Sequence, residues 1–274
     1  MILVVASKKD VASLNISQQI LENFSFRKSP EKFQQSPMYD ADIDGKDVHL
    51  ITLSEESIYA QDLAGLFENP ELIVFVSKHR SVSGTPTLSV HTPGNLGQAG
   101  FGGLPRRVSV SPANAMRDAL KAMAKFKVEM SVDYEVSYEC THHGPSLNVP
   151  AMFVELGSSP KQWEDLQAAE VVARAAMEAV SKFGSFQAEA VVGIGGPHYS
   201  GKFTRMALEN ALAFGHIVPK YAVPIVDLEM LRQCVERTLE RVEMVTLDWK
   251  GIRGNDKLRL VEILSENGIS FRKV

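Results

Sequence analysis

Cysteine is scarce in this sequence, with only Cys140 and Cys234 among 274 residues. Two cysteines exclude a disulfide framework and favour a reducing compartment. No segment approaches the roughly 18 consecutive apolar residues that a membrane-spanning helix needs. The apolar opening from Met1 to Ala6 is short and has no basic region before it, so it does not resemble a signal peptide. We therefore predict a cytoplasmic protein that does not contact a membrane.

Excess charge of either sign is also absent, since the formal net charge is −4. An RNA partner would therefore need a local basic patch on a mildly acidic body. Candidate patches are Lys78 to Arg80, Arg106 with Arg107, and Lys202 with Arg205, although scattered solvated charge explains each one alone equally well.

The sequence also has no linker and no internal repeat. Hydrophobic residues make up 45% of the chain, which is enough for a sizeable core. We predict one compact, monomeric unit over residues 1–274, and a division of this unit into two lobes stays open.

The pattern of apolar runs predicts strands that alternate with helices. Predicted strands cover 1–6, 38–43, 48–53, 72–76, 88–91, 132–138, 151–156, 188–194 and 245–247. Predicted helices cover 11–24, 111–127, 159–183, 203–214, 228–240 and 257–265. This alternation is typical of the α/β class, here a layered mixed sheet with helices on both faces. The order of the strands stays open.

Residues 81–107 are rich in glycine and proline. A loop of this length inside a compact domain is usually functional. We predict a functional loop at 81–107, with a small strand at Leu88–His91 inside it.

Five of the seven histidines share a setting: each follows a predicted strand and lies in a loop or beside glycine or proline. These five loop histidines are His79, His91, His142, His143 and His198. Because sites in α/β folds collect at the carboxyl ends of strands, we expect them to converge on one rim. His49 and His216 lack this setting, and we predict structural roles for them.

Converging histidines suit a metal site or acid/base chemistry. Neutral imidazole is a zinc ligand, and zinc-bound water is acidic enough to supply hydroxide near neutral pH. A single loop histidine is more often a surface or hydrogen-bonding residue, and it is the number of matched positions that favours a site. We predict all five loop histidines as candidate zinc ligands.

His142 and His143 are the predicted centre of the chemistry, with Glu155 as general base or metal ligand. Neighbours on a strand face opposite sides, so we expect unequal roles for the two histidines. A solvent-facing Glu155 remains an equal alternative. Cys140 could bind a metal together with His143, or it could act as a nucleophile. A small buried residue is the more common role for such a cysteine.

The segment from Gly195 to Lys202 follows an apolar strand and opens a predicted helix. It nearly matches a phosphate-binding loop, but Phe203 stands where a magnesium-binding Ser or Thr is required, which excludes a nucleotide hydrolase. Backbone N–H groups at a helix start, together with a lysine, still attract an anion. We predict substrate-binding roles for Gly195, Gly196, His198, Lys202 and Arg106.

Three segments are distinctive: Cys140-Thr141-His142-His143-Gly144-Pro145-Ser146, Phe153-Val154-Glu155-Leu156-Gly157-Ser158, and Val192-Gly193-Ile194-Gly195-Gly196-Pro197-His198-Tyr199 with Lys202-Phe203-Thr204. Together they resemble the archaeal and plant type of D-aminoacyl-tRNA deacylase. The opening strand and the segments 77–81 and 91–95 fit as well, so the resemblance spans essentially the whole chain.

The resemblance implies a zinc-dependent hydrolase that cleaves the ester between a D-amino acid, or mischarged glycine, and the end of tRNA, as translation quality control. It also implies a fold similar to peptidyl-tRNA hydrolases and nucleoside phosphorylases. Two alternatives stay open: another hydrolase or phosphorylase on the same fold, acting on peptidyl-tRNA or a nucleoside, and a non-catalytic module that binds the tRNA end.

Overall fold

The structure is a computed structural model that describes residues 1–68 and 70–274. The strands are β1 (Ile2–Ser7), β2 (Arg27–Phe33), β3 (Ser36–Ile43), β4 (Lys46–Leu53), β5 (Leu72–Lys78), β6 (Thr87–His91), β7 (Gly94–Asn95), β8 (Arg107–Val108), β9 (Glu135–Tyr138), β10 (Ala151–Gly157), β11 (Glu189–Ile194), β12 (Leu212–Val218), β13 (Val242–Leu247) and β14 (Phe271–Lys273). The helices are α1 (Val11–Asn23), α2 (Ala113–Glu129), α3 (Pro160–Trp163), α4 (Leu166–Lys182), α5 (Gly201–Glu209), α6 (Leu228–Glu236) and α7 (Gly254–Glu266).

Eight strands form a large mixed sheet in the order β2-β3-β4-β1-β5-β10-β6-β9. Its centre, β4-β1-β5-β10, is parallel, while β3 pairs antiparallel with β4 and β6 pairs antiparallel with β10. Successive residues of β1 point to opposite faces of the sheet, and a different cluster buries each face. Ile2, Val4 and Ala6 belong to the core cluster that includes α1, α2 and α4, whereas Leu3 and Val5 belong to a second cluster under short 3₁₀ turns.

Four parallel strands form a second sheet in the order β12-β11-β13-β14. Phe214 of this sheet joins the main core together with Phe203 of α5, while Val192 and Leu247 pack with α6 and α7 on the opposite face. The predicted α/β class with a layered mixed sheet is therefore confirmed.

Helix α2 packs on the large sheet, and its first turn is completed from the other end of the chain. The carboxylate of Glu240 accepts hydrogen bonds from the backbone N–H groups of Ala113, at 3.0 Å, and Asn114, at 2.9 Å. An acidic group at this position satisfies donors that have no partner inside the helix.

Two predicted helices have other bounds in the structure. The helix predicted to reach Phe214 ends at Glu209, and Leu212–Val218 is a fully buried strand instead. The helix predicted over 159–183 is divided into α3 and α4, because the side chain of Asp165 caps a new start by accepting from the N–H groups of Gln167 and Ala168.

The predicted strand over 132–138 is shorter in the structure, as β9, and the edge strands β2 and β14 had no prediction. The single-unit organisation and its functional loop at 81–107 remain predictions. Among the described residues, no helix is long and apolar enough to cross a membrane.

Candidate active site

A cavity of about 630 Å³ opens where the central parallel strands end. His79 follows β5, Glu155 lies near the end of β10, and register pairs Glu155 with Ser77 of the neighbouring strand. His91 ends the antiparallel strand β6 opposite Phe153. The sheet register therefore brings side chains from three neighbouring strands together. The strand-end rule accounts for the parallel strands β5 and β10, whereas β6 is antiparallel and its His91 joins the group from the opposite direction.

Two buried carboxylates hold His79 between them. Its Nδ1 lies 3.0 Å from Glu139 Oε1 and 3.5 Å from Glu155 Oε2, while its Nε2 bonds the hydroxyl of Tyr199. Ser77 donates to Glu155 at 2.5 Å. Burial opposes protonation of this imidazole, but the hydrogen bonds and negative charge of Glu139 and Glu155 raise the pKa of His79 to about 11. A protonated His79 compensates the two buried carboxylates.

His91, His142 and His143 form a second group, in which each residue offers one ring nitrogen within 4.8 Å of the others. The Nδ1 of His142 lies 2.8 Å from the carbonyl oxygen of Cys140, and the Nδ1 of His143 lies 2.7 Å from that of Gly144. A carbonyl oxygen can only accept, so each Nδ1 carries the proton and each Nε2 is left as a free acceptor.

Electrostatics keeps these two rings neutral. Burial, reinforced by the neighbouring imidazoles, holds the pKa of His142 well below its usual range and lowers the pKa of His143 to about 4. Both ring nitrogens of His91 are buried without a hydrogen-bond partner in the described chain. Neutral rings with unused acceptors are what a zinc ion requires of its histidine ligands.

Cys140, His142 and His198 form a third group that could hold a metal, and it shares His142 with the second. Cys140 Sγ lies 3.1 Å from His198 Nδ1 and 3.3 Å from the hydroxyl of Tyr221. The Nε2 of His198 lies 2.8 Å from Glu139 Oε2. Burial opposes protonation of His198, but its contacts with Cys140 and Glu139 raise its pKa to about 10.

The five loop histidines and Glu155 therefore converge on one rim as predicted, although they divide into three groups. The equal alternative of a solvent-facing Glu155 is wrong, because only 3% of the residue is exposed. Burial opposes ionisation of Glu155, but its contacts at 3.5 Å with the imidazoles of His79 and His91 outweigh this effect, so the pKa of Glu155 lies well below its usual range. Which of these residues bind metal and which act on substrate stays a prediction.

Four predicted substrate-binding residues lie outside the described cavity wall: Gly195, Gly196, Lys202 and Arg106. Lys202 Nζ bonds Asp248 Oδ1 at 2.5 Å and the backbone oxygen of Val274 at 3.1 Å. The N–H groups of Gly195 and Gly196 donate to the carbonyl oxygens of Val218 and Gly251. Because these groups already have partners, the geometry does not favour the predicted phosphate contact.

Arg106 is likewise engaged, since its guanidinium lies 2.7 Å from Asp227 and 3.6 Å from Glu229. Its neutralised charge and its distance from the cavity wall disfavour the predicted contact with substrate.

Much of the glycine-rich segment 94–103 lines the cavity, but Gly102 and Gly103 make close contacts within the protein. A Cβ at Gly102 would lie 2.0 Å from the carbonyl oxygen of Ile58, and one at Gly144 would lie 2.2 Å from the nitrogen of Gly103. The backbone at Gly103 can therefore approach the turn that carries His143 and Gly144, and this contact holds the turn in place.

Sequence reasoning missed Glu139, which lies at the centre of the cluster in contact with His79, His142 and His198. A signal was present, because Glu139 follows the apolar strand end at Tyr138 directly and precedes the Cys-Thr-His-His motif. Tyr199 and Tyr221 were missed as well. Tyr199 directly follows His198 in sequence, whereas only the fold brings the hydroxyl of Tyr221 within 3.3 Å of His198 Nδ1.

The fold and the site define an α/β protein with a hydrolase-type centre at the carboxyl edge of its sheet. The chain belongs to the D-aminoacyl-tRNA deacylase family, whose model matches residues 66–272. It is 38% identical to a D-aminoacyl-tRNA deacylase of Thermococcus kodakarensis over 98% of each chain, and 34% identical to one of Methanocaldococcus jannaschii over 99% of each. The family resemblance and the enzyme class predicted from the sequence, an ester hydrolase, are thereby confirmed.

A solved structure supports the fold as well. The crystal structure of a conserved protein of unknown function aligns with a TM-score of 0.88 at 30% identity, covering all of this chain and 95% of the other.

Proposed function

We propose that this chain hydrolyses the ester bond between a D-amino acid and tRNA, releasing the free amino acid and tRNA as a translation quality-control step. The observation that carries the proposal is the pair of half-buried, neutral imidazoles of His142 and His143 on the cavity wall of a chain from the D-aminoacyl-tRNA deacylase family. Mischarged glycyl-tRNA is a second substrate of the same chemistry.

We propose zinc as the cofactor, held by His91, His142 and His143. The residues fit a metal because two tautomers are fixed by backbone carbonyls, and because buried His91 is without a hydrogen-bond partner in the described chain. A zinc ion bound here supplies a Lewis acid and an acidified water. The group of Cys140, His142 and His198 is the alternative ligand set.

Glu155 is ionised at neutral pH, as a general base must be, but its lowered pKa makes it a weak proton acceptor. Its Oε2 lies 3.5 Å from both His91 Nε2 and His79 Nδ1. These contacts favour a role in orienting His91 over proton abstraction.

The positive charge needed beside the reacting carbonyl comes from His198. It lines the cavity with its side chain 31% exposed, and Glu139 beneath it favours the protonated form. A preorganised cation at this position stabilises the oxyanion that develops during ester hydrolysis.

The decisive assay is single-turnover hydrolysis of matched D- and L-aminoacyl-tRNA, with and without a chelator. We expect rapid hydrolysis of the D ester, slow hydrolysis of the L ester, and loss of activity on metal removal. Equal rates for the two esters would refute selection for the D form, and absence of hydrolysis would refute the proposed function.

Metal content gives a readout that does not depend on activity. Elemental analysis of protein purified without added metal should find zinc, and His91→Gln should lower the metal content. His49→Gln is the matched control, because His49 lies outside the cluster and contacts Asp40 and Asp47 instead. Metal-free active protein, or equal metal in both variants, would contradict the ligand set.

The alternatives predicted from the sequence gain no specific support. A phosphorylase needs a free anion site, whereas Lys202 is bound to Asp248. A module that only binds the tRNA end does not need a buried cluster of imidazoles and carboxylates.

A further inference from the structure

A dense group of basic residues surrounds Trp249 at the carboxyl edge of the four-stranded sheet. The ammonium group of Lys273 lies 4.0 Å from the centroid of the indole ring, and that of Lys257 lies 4.7 Å from it. Contacts of this kind hold flexible lysines in place, because the ring face attracts the cation.

Three further cations, Lys220, Lys250 and Arg253, are exposed; Lys250 and Arg253 lie one and four residues after Trp249 in sequence. In the described chain, none of the five lies within 4 Å of a carboxylate oxygen, in contrast to Lys202, which Asp248 neutralises. Lys220, Lys250, Arg253, Lys257 and Lys273, together with Trp249, are called the Trp249 surface here. It is a concentrated positive region on a body whose net charge is −4.

Backbone hydrogen bonds make the Trp249 surface continuous. The N–H of Lys220 donates to the carbonyl oxygen of Gly196 at 2.8 Å, and the N–H of Gly196 donates to that of Gly251 at 3.2 Å. Lys220 and Lys250, far apart in sequence, are therefore neighbours across one loop contact.

The Trp249 surface also reaches the cavity. Tyr221, the residue after Lys220, lines the cavity wall and places its hydroxyl 3.3 Å from both Cys140 Sγ and His198 Nδ1. A ligand whose reacting end occupies the cavity and whose remainder carries regularly spaced negative charge would meet these cations directly outside.

We propose that the Trp249 surface binds the sugar–phosphate backbone of the tRNA acceptor arm, and so positions the aminoacyl end in the cavity. This inference rests on the proposed function. Phosphates carry one charge per nucleotide, and lysine and arginine groups spread over a surface neutralise them with release of counterions. Trp249 contributes by holding the ammonium groups of Lys257 and Lys273 over its ring.

The test variant is Lys220→Gln with Lys250→Gln, since both side chains are exposed. The matched control is Arg27→Gln with Lys28→Gln, which removes the same charge from exposed positions. Arg27 and Lys28 begin β2, which runs in the same direction as β4 and β1, so they lie at the sheet edge opposite the cavity.

Binding of tRNA should be measured by fluorescence anisotropy over a range of salt concentrations. Each lost phosphate contact lowers the slope of log K against log salt by about 0.9, so we expect the test variant to lose about 1–2 in slope and roughly tenfold in affinity near 0.1 M salt. The control should keep the wild-type slope. Equal slopes for the two variants would overturn the proposal.

Hydrolysis separates this inference from the proposed function. With a D-aminoacyl ester of adenosine, which has no acceptor arm, wild type and test variant should react at the same rate, whereas with D-aminoacyl-tRNA at subsaturating enzyme the test variant should be roughly tenfold slower. Equal loss on both substrates would overturn the inference, because the substitutions would then act on the cavity. If the wild type hydrolyses neither substrate, the proposed function fails, and the salt slopes still decide whether the surface binds tRNA.

Discussion

His216 offers a quantitative test of how burial determines protonation in this fold. It lies in β12 and is completely buried. The hydroxyl of Thr141 accepts from the N–H of Ile217 at 3.2 Å and lies 3.1 Å from His216 Nδ1, to which it can donate. The opposite nitrogen, Nε2, donates to the carbonyl oxygen of Arg237 at 3.2 Å. Both ring positions are thus matched to the neutral form.

Burial lowers the pKa of His216 to about 4, from an ordinary value of 6.5. Between these pH values the unfolded chain takes up a proton and the folded chain does not, so stability falls as the pH falls from about 6.5 to 4. The difference between the two pKa values amounts to about 3 kcal/mol of unfolding free energy, fully present above pH 6.5 and absent below pH 4.

The assay is urea denaturation at closely spaced pH values from 8 to 4 for the wild type and His216→Gln. The variant should be less stable at pH 8, because the matched hydrogen bonds are weakened, but the gap should shrink by about 3 kcal/mol as the pH reaches 4. His49→Gln keeps His216 and should keep the steep fall. Parallel curves for the wild type and His216→Gln would refute the reasoning.

Three further predictions concern the site and its surroundings. At least one of His142→Ala and His143→Ala should lower single-turnover hydrolysis of D-aminoacyl-tRNA by roughly 10²–10⁴ while staying folded by circular dichroism, and near wild-type rates for both would move the catalytic centre elsewhere. Gly144→Ala should destabilise the protein by about 1–3 kcal/mol, measured as a lower Tm, because its Cβ would lie 2.2 Å from the nitrogen of Gly103; an unchanged Tm would show that the two loops separate freely. Cys234 should resist alkylation at pH 8 until the protein is denatured, as read by mass spectrometry, because it is buried and burial raises its pKa to about 12; rapid labelling of the folded protein would contradict this.

Strands and helices with a clear period were predictable, and the errors have local physical causes. Apart from Gly215 and His216, the run Leu212–Val218 is apolar, and such a run is compatible with a buried strand or a buried helix by periodicity alone. Tertiary contacts decide in favour of the strand. A Cβ at Gly215 would lie 2.6 Å from the hydroxyl of Thr238, so this strand is packed closely against the segment after α6.

The histidines of the site were predictable because strand ends in α/β folds collect functional residues. Their division into groups was not, since it depends on the register that sets Glu155 opposite Ser77 and His91 opposite Phe153. The partners of Lys202 were equally inaccessible, because Asp248 is 46 residues away in sequence. A lysine after a glycine loop has the same sequence whether a phosphate or a carboxylate neutralises it.

The carboxylate that completes the first turn of α2 has a consequence for the order in which the chain can fold. Glu240 lies 126 and 127 residues beyond the two N–H groups that it accepts from. During synthesis, α2 must therefore leave the ribosome with these donors open to water, and this cap can form only after β11, β12 and α6, which all precede Glu240, have been synthesised. Contacts of such long separation slow folding, because the loop must be closed before the contact contributes. Pulse-labelling hydrogen exchange should find the amides of Ala113 and Asn114 among the last in α2 to become protected.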